Sequence, residues 1–226
     1  MELSKETLKI LKNFSGINSN IAIGPDGILR TVATAKNLMA RADIKEKFPY
    51  RFGIYDLPEF LSACSLFDWP ELLFDESENF VTIKGTDGSS IKYFFSDIEN
   101  LTVSEKDVVL PDTVLTFTLT DKQMGALQRA ASALKSNDIS VTRNGSNLNV
   151  SVSDKSNTTS NEFTLEVEEC EITTDESFDF VFNINNFKFV DTVLYTFEVS
   201  SKMIGSVDAT DAKYWVALDK TSKYGV

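Results

Sequence analysis

The side chains best suited to chemistry in this chain are carboxylates, because the chain contains no histidine. Histidine is the commonest general base and neutral metal ligand, so Ser/His/Asp and Cys/His arrangements are excluded. Carboxylates cluster at Asp75-Glu76-Ser77-Glu78 and over Glu166–Glu171. Neither cluster has the spacing or the glycine of an EF-hand loop, and we interpret the second as the solvent side of a strand. The sequence therefore predicts no catalytic residue, no metal site and no cofactor.

The remaining candidates for chemistry are a glycine-rich turn and two cysteines. The run that begins at Gly85 lacks the glycine spacing and the Gly-Lys-Ser/Thr ending of a phosphate-binding loop. It predicts a hairpin turn, and we expect no nucleotidase activity. Cys64 and Cys170 lie far apart without a metal-ligand spacing, which is typical of reduced thiols.

Basic residues recur with helical spacing in two segments. Lys5, Lys9 and Lys12 share one stripe of a predicted first helix, opposite its apolar residues. On a second predicted helix, Lys122 and Arg129 share a face. Lys135 follows at the C-terminal end, off that stripe. Such a stripe is commonly just a solvated face, so these cations alone leave open whether they bind an anion.

The elements that carry these cations belong to an internal repeat. Ser4 and Thr120 are each placed to cap a helix, and Gln123 completes a capping box with Thr120. Each helix is followed by an apolar strand and a turn, Asp26-Gly27 or Asn144-Gly145, of the kind that closes a hairpin. The apolar stripes of the two helices are Thr7, Leu8, Leu11 and Phe14, and Met124, Leu127, Ala131 and Leu134.

A second, weaker repeated pattern follows later in each half of the chain. Aromatic strands at Phe52 and Phe180 lead to Asp56 and Asn183, which are suited to cap a short helix. Further runs of β-branched and aromatic residues predict strands. The sequence therefore predicts an α+β protein with two similar domains, 1–110 and 111–226, each with two helices packed on antiparallel sheets.

The charge repeats with the same period as the elements. Residues 1–50 and 113–161 carry net charges of +3 and +2, whereas residues 51–112 and 162–226 carry −9 and −8. A net charge of −12 is unusual for a protein that binds nucleic acid. The alternation predicts that basic helices and acidic sheets form different surfaces.

Three stretches resemble the sliding clamp of T-even-like bacteriophages, within the DNA-clamp superfamily. They are LSKETLKILKNFSGINSNI from Leu3, IYDLPEFLSACSL from Ile54 and YWVALD from Tyr214. The resemblance runs from end to end of the chain. It implies a non-enzymatic homotrimer closed into a ring, with helices that line a central hole. Lys5, Lys9, Lys12, Lys122, Arg129 and Lys135 would then face double-stranded DNA without sequence preference.

The resemblance also implies partners for the ring. These are the phage DNA polymerase, an ATP-dependent clamp loader and RNA polymerase factors of late transcription, in the cytoplasm of the infected bacterium. Clamp partners insert a hydrophobic tail near the domain connector and the C-terminus. In this chain those positions are Val108, Val109, Leu110, Tyr224 and Val226. We expect no secretory leader and no membrane partner, since no apolar run is long enough to span a bilayer.

Two other classes of protein remain open from the residues alone. One is a β-rich structural phage protein that makes no contact with DNA. The other is a hydrolase that uses an Asp/Glu pair, although no spacing singles out such a pair. Charge reversal of the lysines on the first helix would separate the first class from a clamp.

Overall fold

The computed structural model describes residues 1–157 and 159–225, which form an α+β protein of two compact units, Met1–Asp107 and Val108–Val226. The elements of the first unit are α1 (Lys5–Ser15), β1 (Ile21–Ile23), β2 (Ile28–Val32), β3 (Leu38–Asp43), β4 (Phe52–Ile54), α2 (Leu57–Cys64), β5 (Glu71–Phe74), β6 (Phe80–Lys84) and β7 (Ser90–Phe94). Those of the second unit are β8 (Leu115–Thr120), α3 (Asp121–Leu134), β9 (Asp138–Asn144), β10 (Asn147–Val152), β11 (Phe163–Val167), β12 (Cys170–Ile172), β13 (Phe178–Asn183), β14 (Leu194–Val199), β15 (Ile204–Asp208), β16 (Lys213–Ala217) and β17 (Lys223–Tyr224).

The predicted caps start α1, α2 and α3. Ser4 accepts a hydrogen bond from the Thr7 amide at the start of α1, and Asp56 accepts one from the Glu59 amide at the start of α2. Thr120 and Gln123 form the predicted capping box at the start of α3. These side chains satisfy amides that have no partner within the helix.

The buried faces of the two long helices follow the predicted apolar stripes except at Leu8 and Leu134, which are half-exposed. In α1 the buried residues include Ile10, whereas Leu8 is half-exposed. In α3 Met124, Leu127 and Ala131 are buried as predicted. α1 packs against α2, and α3 packs on β8 and β10. Each helix therefore turns its opposite face, which carries the cations, away from its own core.

The strands of the first unit form short antiparallel sheets. β1 pairs with β4, β2 with β3, and β6 lies between β5 and β7. The prediction that the turn at Asp26-Gly27 joins two paired strands is therefore wrong, because β1 and β2 do not pair. Gly27 nevertheless has the expected positive φ of 71°. The Ile44 amide donates to the Gly27 carbonyl, so this turn packs against the end of β3 rather than closing a β1–β2 pair.

The second unit has two larger antiparallel arrays. One has the order β11-β10-β9-β13-β17, and the other contains β12-β8-β14-β15-β16. The hairpin predicted at Asn144-Gly145 is confirmed, since Asn144 pairs with Asn147 and Gly145 has a φ of 63°. The stacked rings of Phe117 and Phe197, 4.7 Å apart, lie in the core of this unit.

The second helix predicted for each domain forms only in the first unit. In the first unit Asp56 caps the eight-residue α2, which buries Phe60 and Cys64. In the second unit Asn183 caps only a three-residue 3-10 turn, Ile184–Asn186, none of which is buried. The prediction of two helices in each domain is therefore wrong for the second. The turn has no apolar repeat to bury, and asparagine competes with helical hydrogen bonding.

Candidate nucleic-acid interface

The three lysines of α1 lie on one exposed face of the helix. Lys5, Lys9 and Lys12 are exposed, whereas Thr7, Leu11 and the other buried side chains occupy the opposite face. Positions separated by four and three residues lie one above the other on a helix. Their ammonium groups therefore form a row along α1 that an extended anion could follow.

The second unit presents a shorter basic face. Lys122 and Arg129 are exposed on α3, opposite the buried Met124 and Leu127. The Arg129 side chain lies over Gly125, where an added Cβ would come 3.1 Å from the Nη1 atom. Lys135 is also exposed, but it ends the helix as its C-cap, with a left-handed φ of 53°. α3 therefore carries two cations on its outer face and a third at its C-terminal end.

Most cations of these helix faces have no carboxylate partner. Within residues 1–157 and 159–225, no ion pair involves Lys5, Lys12, Lys122, Arg129 or Lys135. The arginines on or beside strands behave differently. Arg30, Arg41 and Arg51 each contact an Asp or Glu within 2.9 Å, and Arg143 donates to backbone carbonyls. These five cations thus remain available to an external anion.

The start of α1 is held by a residue that sequence reasoning missed. Glu46, in the loop after β3, accepts hydrogen bonds of 2.6 Å from the Ser4 amide and from the Thr7 hydroxyl. Burial raises the pKa of Glu46, but the hydrogen bonds from Thr7 and Ser4 outweigh burial and leave it below its ordinary value. The carboxylate also suits the positive end of the helix. No motif marks Glu46, because its partners lie about forty residues earlier in the chain.

An exposed tryptophan lies beside the first lysine of α1. The Lys5 ammonium is 5.7 Å from the centre of the Trp69 ring, within the range of a cation–π contact. Trp69 is 69% exposed and has a left-handed φ of 58°. The basic face of α1 therefore has an aromatic side chain at its N-terminal end.

No family model matches the chain. The chain is 32% identical over 194 residues to the sliding clamp of Vibrio phage KVP40, which covers 84% of this chain and 87% of the relative. The chain belongs to the sliding-clamp family. It is also 25% identical to the sliding clamp of Escherichia phage RB69, over 99% of each chain. The sliding clamp of Enterobacteria phage T4 is 30% identical over 144 residues, 63% of this chain and 62% of the relative.

A solved structure shows the same fold. The Proliferating Cellular Nuclear Antigen of Entamoeba histolytica matches with a TM-score of 0.71 and 10% identity, over 94% of each chain. This likeness assigns the DNA-clamp fold. The resemblance inferred from the three sequence stretches is thereby confirmed.

The connector predicted to bind partners of this sliding-clamp chain lies outside the helices and strands. Val109 is 84% exposed, and Val108 and Leu110 are half-exposed. Just before it, Asp107 accepts a 2.9 Å hydrogen bond from Arg30, which holds the pKa of this carboxyl below its usual range. Just after it, Asp112 accepts hydrogen bonds from the hydroxyls of Ser200 and Ser201.

The C-terminal residues predicted for the same role are placed differently. Tyr224 lies in β17, where its ring stacks on Phe180 and its hydroxyl shares a 2.8 Å hydrogen bond with Thr174. Val226 lies outside the described residues. Within the described chain, no hydrogen bond or ring contact joins Tyr224 to Val108, Val109 or Leu110. The grouping of these five residues into one pocket stays a prediction.

The acidic clusters are exposed turns and strand surfaces. Asp75 accepts hydrogen bonds from the amide and hydroxyl of Ser77, which lower its pKa. Glu166 is exposed on β11 and accepts from Asn147. Among the residues that the structure describes, no group of three His, Cys, Asp or Glu side chains could hold a metal ion. In the same residues, no helix is both long and apolar enough to cross a membrane.

Proposed function

We propose that copies of this chain close into a ring around duplex DNA and tether the replicative DNA polymerase to it, without catalysing a reaction. One observation carries the proposal. α1 and α3 occupy matching places in the sequence repeat. On the face opposite the buried stripe, α1 presents Lys5 and Lys12 and α3 presents Lys122 and Arg129, and none of these four forms an ion pair within the described residues. Because the chain as a whole has a net charge of −12, the concentration of cations on these two helix faces does not follow from its overall composition.

The physical logic of such a ring is topological. A closed ring cannot leave a duplex sideways, so its contacts with phosphates need only centre the DNA. Phosphate contacts carry no sequence information and weaken with salt, which allows sliding. The acidic remainder of the chain repels DNA from other surfaces. Net negative charge therefore supports the proposed role.

Two edge strands could close the ring. β7 pairs only with β6, and β11 pairs only with β10, which leaves one side of each strand without a partner in the described chain. Both strands are five residues long. The exposed Lys92 on β7 and Glu166 on β11 carry opposite charges. We propose that β7 of one copy pairs with β11 of the next, since such pairing satisfies exposed backbone groups. The number of three copies rests on the family resemblance.

The further partners rest on the same resemblance. The relatives in phages KVP40, RB69 and T4 are sliding clamps, and we propose the infected bacterial cytoplasm as the place of action. An ATP-dependent loader would open the ring, and factors of late transcription would use it as a mobile activator. The exposed connector around Val109 is the proposed contact for their hydrophobic tails.

Native mass spectrometry at micromolar concentration tests the ring. A trimer is expected, and a monomer or dimer would contradict the proposed assembly. The measurement needs no partner and no DNA, so its result bears on the assembly alone.

Charge reversal tests the DNA-facing helices. Lys12→Glu combined with Lys122→Glu should lower processive synthesis by the loaded polymerase at least tenfold while the trimer persists, because each helix then repels phosphate. The matched control is Lys84→Glu combined with Lys220→Glu, which makes the same charge change at exposed positions outside the helices. If both double variants behave alike, the helices do not line the hole.

A further inference from the structure

A polar groove lies in the second unit between the C-terminal half of α3 and the 3-10 turn Ile184–Asn186. It has a volume of about 430 Å³, and we call it the α3 groove. Its polar rim is formed by Gln128, Ser132, Lys135, Asn137 and Asn185. All five side chains are exposed, and the buried Ala131 contributes to the floor. The groove thus gathers amides, a hydroxyl and an ammonium group at the end of a helix that carries DNA-facing cations.

The side-chain donors of the α3 groove are uncommitted. Over residues 1–157 and 159–225, the side chains of these five residues form no hydrogen bond or ion pair, although the Asn185 backbone amide donates to the Asn183 side chain. The helix end beneath them is already satisfied. The Ala131 and Ser132 carbonyls accept from the backbone amides of Ser136 and Lys135 at 3.0 and 3.3 Å. The Lys135 charge also offsets the negative end of the helix dipole.

No carboxylate lines the α3 groove. The α3 groove therefore carries a positive charge, that of Lys135, in a chain with 34 Asp and Glu against 22 Lys and Arg. Amide and hydroxyl donors beside a lysine form the set of groups that binds phosphate oxygens in nucleic acids. An oxygen-rich anion is therefore the ligand class that this groove fits.

The equivalent groove of the first unit is chemically different. It lies between α1 and α2, has a volume of about 440 Å³ and includes Lys12 but also the apolar Leu8 and Leu61. Its hydroxyls are already used. Ser62 donates to the Pro58 carbonyl and Ser65 donates to the Ser62 carbonyl, both at 2.8 Å. This groove offers one cation but no uncommitted hydroxyl donor.

We infer that the α3 groove is a binding site for a backbone phosphate of the encircled duplex, and that Gln128 and Asn185 donate hydrogen bonds to it. The inference rests on the proposed function and extends it from charged to neutral contacts. It makes the two units unequal. The second unit binds the DNA backbone partly through hydrogen bonds from neutral side chains, whereas the first attracts it mainly through the charges of Lys5, Lys9 and Lys12.

The test compares binding of a short fluorescent duplex to full-length variants as salt is raised. Gln128→Ala combined with Asn185→Ala should bind about fivefold more weakly, which is the loss expected for neutral hydrogen bonds. Its dependence of log affinity on log salt should stay unchanged, because no charge is removed. Lys135→Gln should instead reduce that slope by about one. The matched control is Ser62→Ala combined with Ser65→Ala, which alters the first groove and should bind like the unmodified chain.

The outcomes separate this inference from the proposed function. If the unmodified chain binds duplex but the Gln128/Asn185 double variant binds equally well, the α3 groove is only a hydrated surface and the inference is wrong. Equal weakening by the control pair would also overturn it. If the unmodified chain shows no binding even at low salt, both the inference and the proposed DNA-binding role fail. Since the altered side chains are exposed, the melting temperature of each variant should be unchanged. A variant that fails to fold would be identified by this measurement.

Discussion

The Glu46 carboxylate accepts a 2.6 Å hydrogen bond from the Thr7 hydroxyl, and this contact fixes the first turn of the basic helix α1 to the loop after β3. The same carboxylate accepts from the Ser4 amide. The orientation of the lysine row on α1 therefore depends on a residue that carries no positive charge and lies outside the helix.

Glu46→Gln should destabilise the chain by about 1 kcal/mol at neutral pH, because a charged acceptor is replaced by a neutral one. The pKa of Glu46 is lowered in the folded chain from its ordinary 4.5. Its contribution is therefore complete above that value and is lost as the pH falls through the lowered folded pKa. Urea unfolding of both proteins at neutral and acidic pH measures the difference.

The matched control for this change is Glu78→Gln, which alters an exposed carboxylate in the loop between β5 and β6. It should change the free energy of unfolding little. A deficit of Glu46→Gln that is equally large at acidic pH would show that the ionised carboxylate is not what stabilises the helix start.

The local elements of this fold could be predicted because their signals lie within a few residues. The caps Ser4, Asp56 and Thr120 and the hairpin turn at Gly145 are of this kind, and the structure has them all. Partners distant in sequence could not be predicted. The pairing of β1 with β4 rather than β2 joins residues about thirty apart, and nothing in the turn at Gly27 specifies it.

The candidate site likewise contains features that the sequence predicts and features that depend on tertiary packing. The helical spacing of Lys5, Lys9 and Lys12 follows from the sequence alone, because one helix places them. The Glu46 contact and the α3 groove depend on loops that tertiary packing brings to the helix ends. The 3-10 turn, which replaces an expected helix, contributes Asn185 to that groove.

Trp69 should become less accessible when duplex DNA binds. Its ring is 69% exposed beside Lys5, whereas Trp215, the other tryptophan, is only 8% exposed. Acrylamide quenching of the native chain therefore reports mainly on Trp69. We expect bound duplex to reduce this quenching, and Trp69→Phe to remove the DNA-dependent change. An unchanged quenching constant at saturating DNA would place the N-terminal end of α1 away from the duplex.

The two cysteines should differ in reactivity. Burial raises the pKa of Cys64 to about 12, and the side chain is only 3% exposed. Burial also raises the pKa of Cys170, but this thiol is half-exposed. Since the thiolate is the reactive form, iodoacetamide at mildly alkaline pH should label Cys170 alone in the native chain and both thiols in denaturant.

Intact mass gives the number of labels in each state, and Cys170→Ser is the control that should give none in the native chain. Labelling of Cys64 at the rate of Cys170 under native conditions would mean that α2, which ends at Cys64, opens readily. The packing of α1 on α2 would then be less stable than the buried side chains indicate.

Proline substitutions on β7 should separate the folding of the first unit from the pairing of copies. Amides at successive strand positions point to opposite sides, so of Ile91 and Lys92 one donates towards β6 and the other towards the open edge. Proline removes the amide donor and is tolerated in a strand only where that donor faces outwards. One of Ile91→Pro and Lys92→Pro should therefore lower the melting temperature strongly, whereas the other should stay folded.

The folded variant is the informative one. If β7 of one copy pairs with β11 of the next, the folded β7 variant should be monomeric in native mass spectrometry. The ladder between copies then loses a hydrogen bond, and the proline ring clashes with the neighbouring strand. Leu165→Pro and Glu166→Pro on β11 form the matched pair for the other edge, and its folded member should also be monomeric. A folded β7 variant that remains trimeric would assign ring closure to another surface, since no intact ladder could pass through that position.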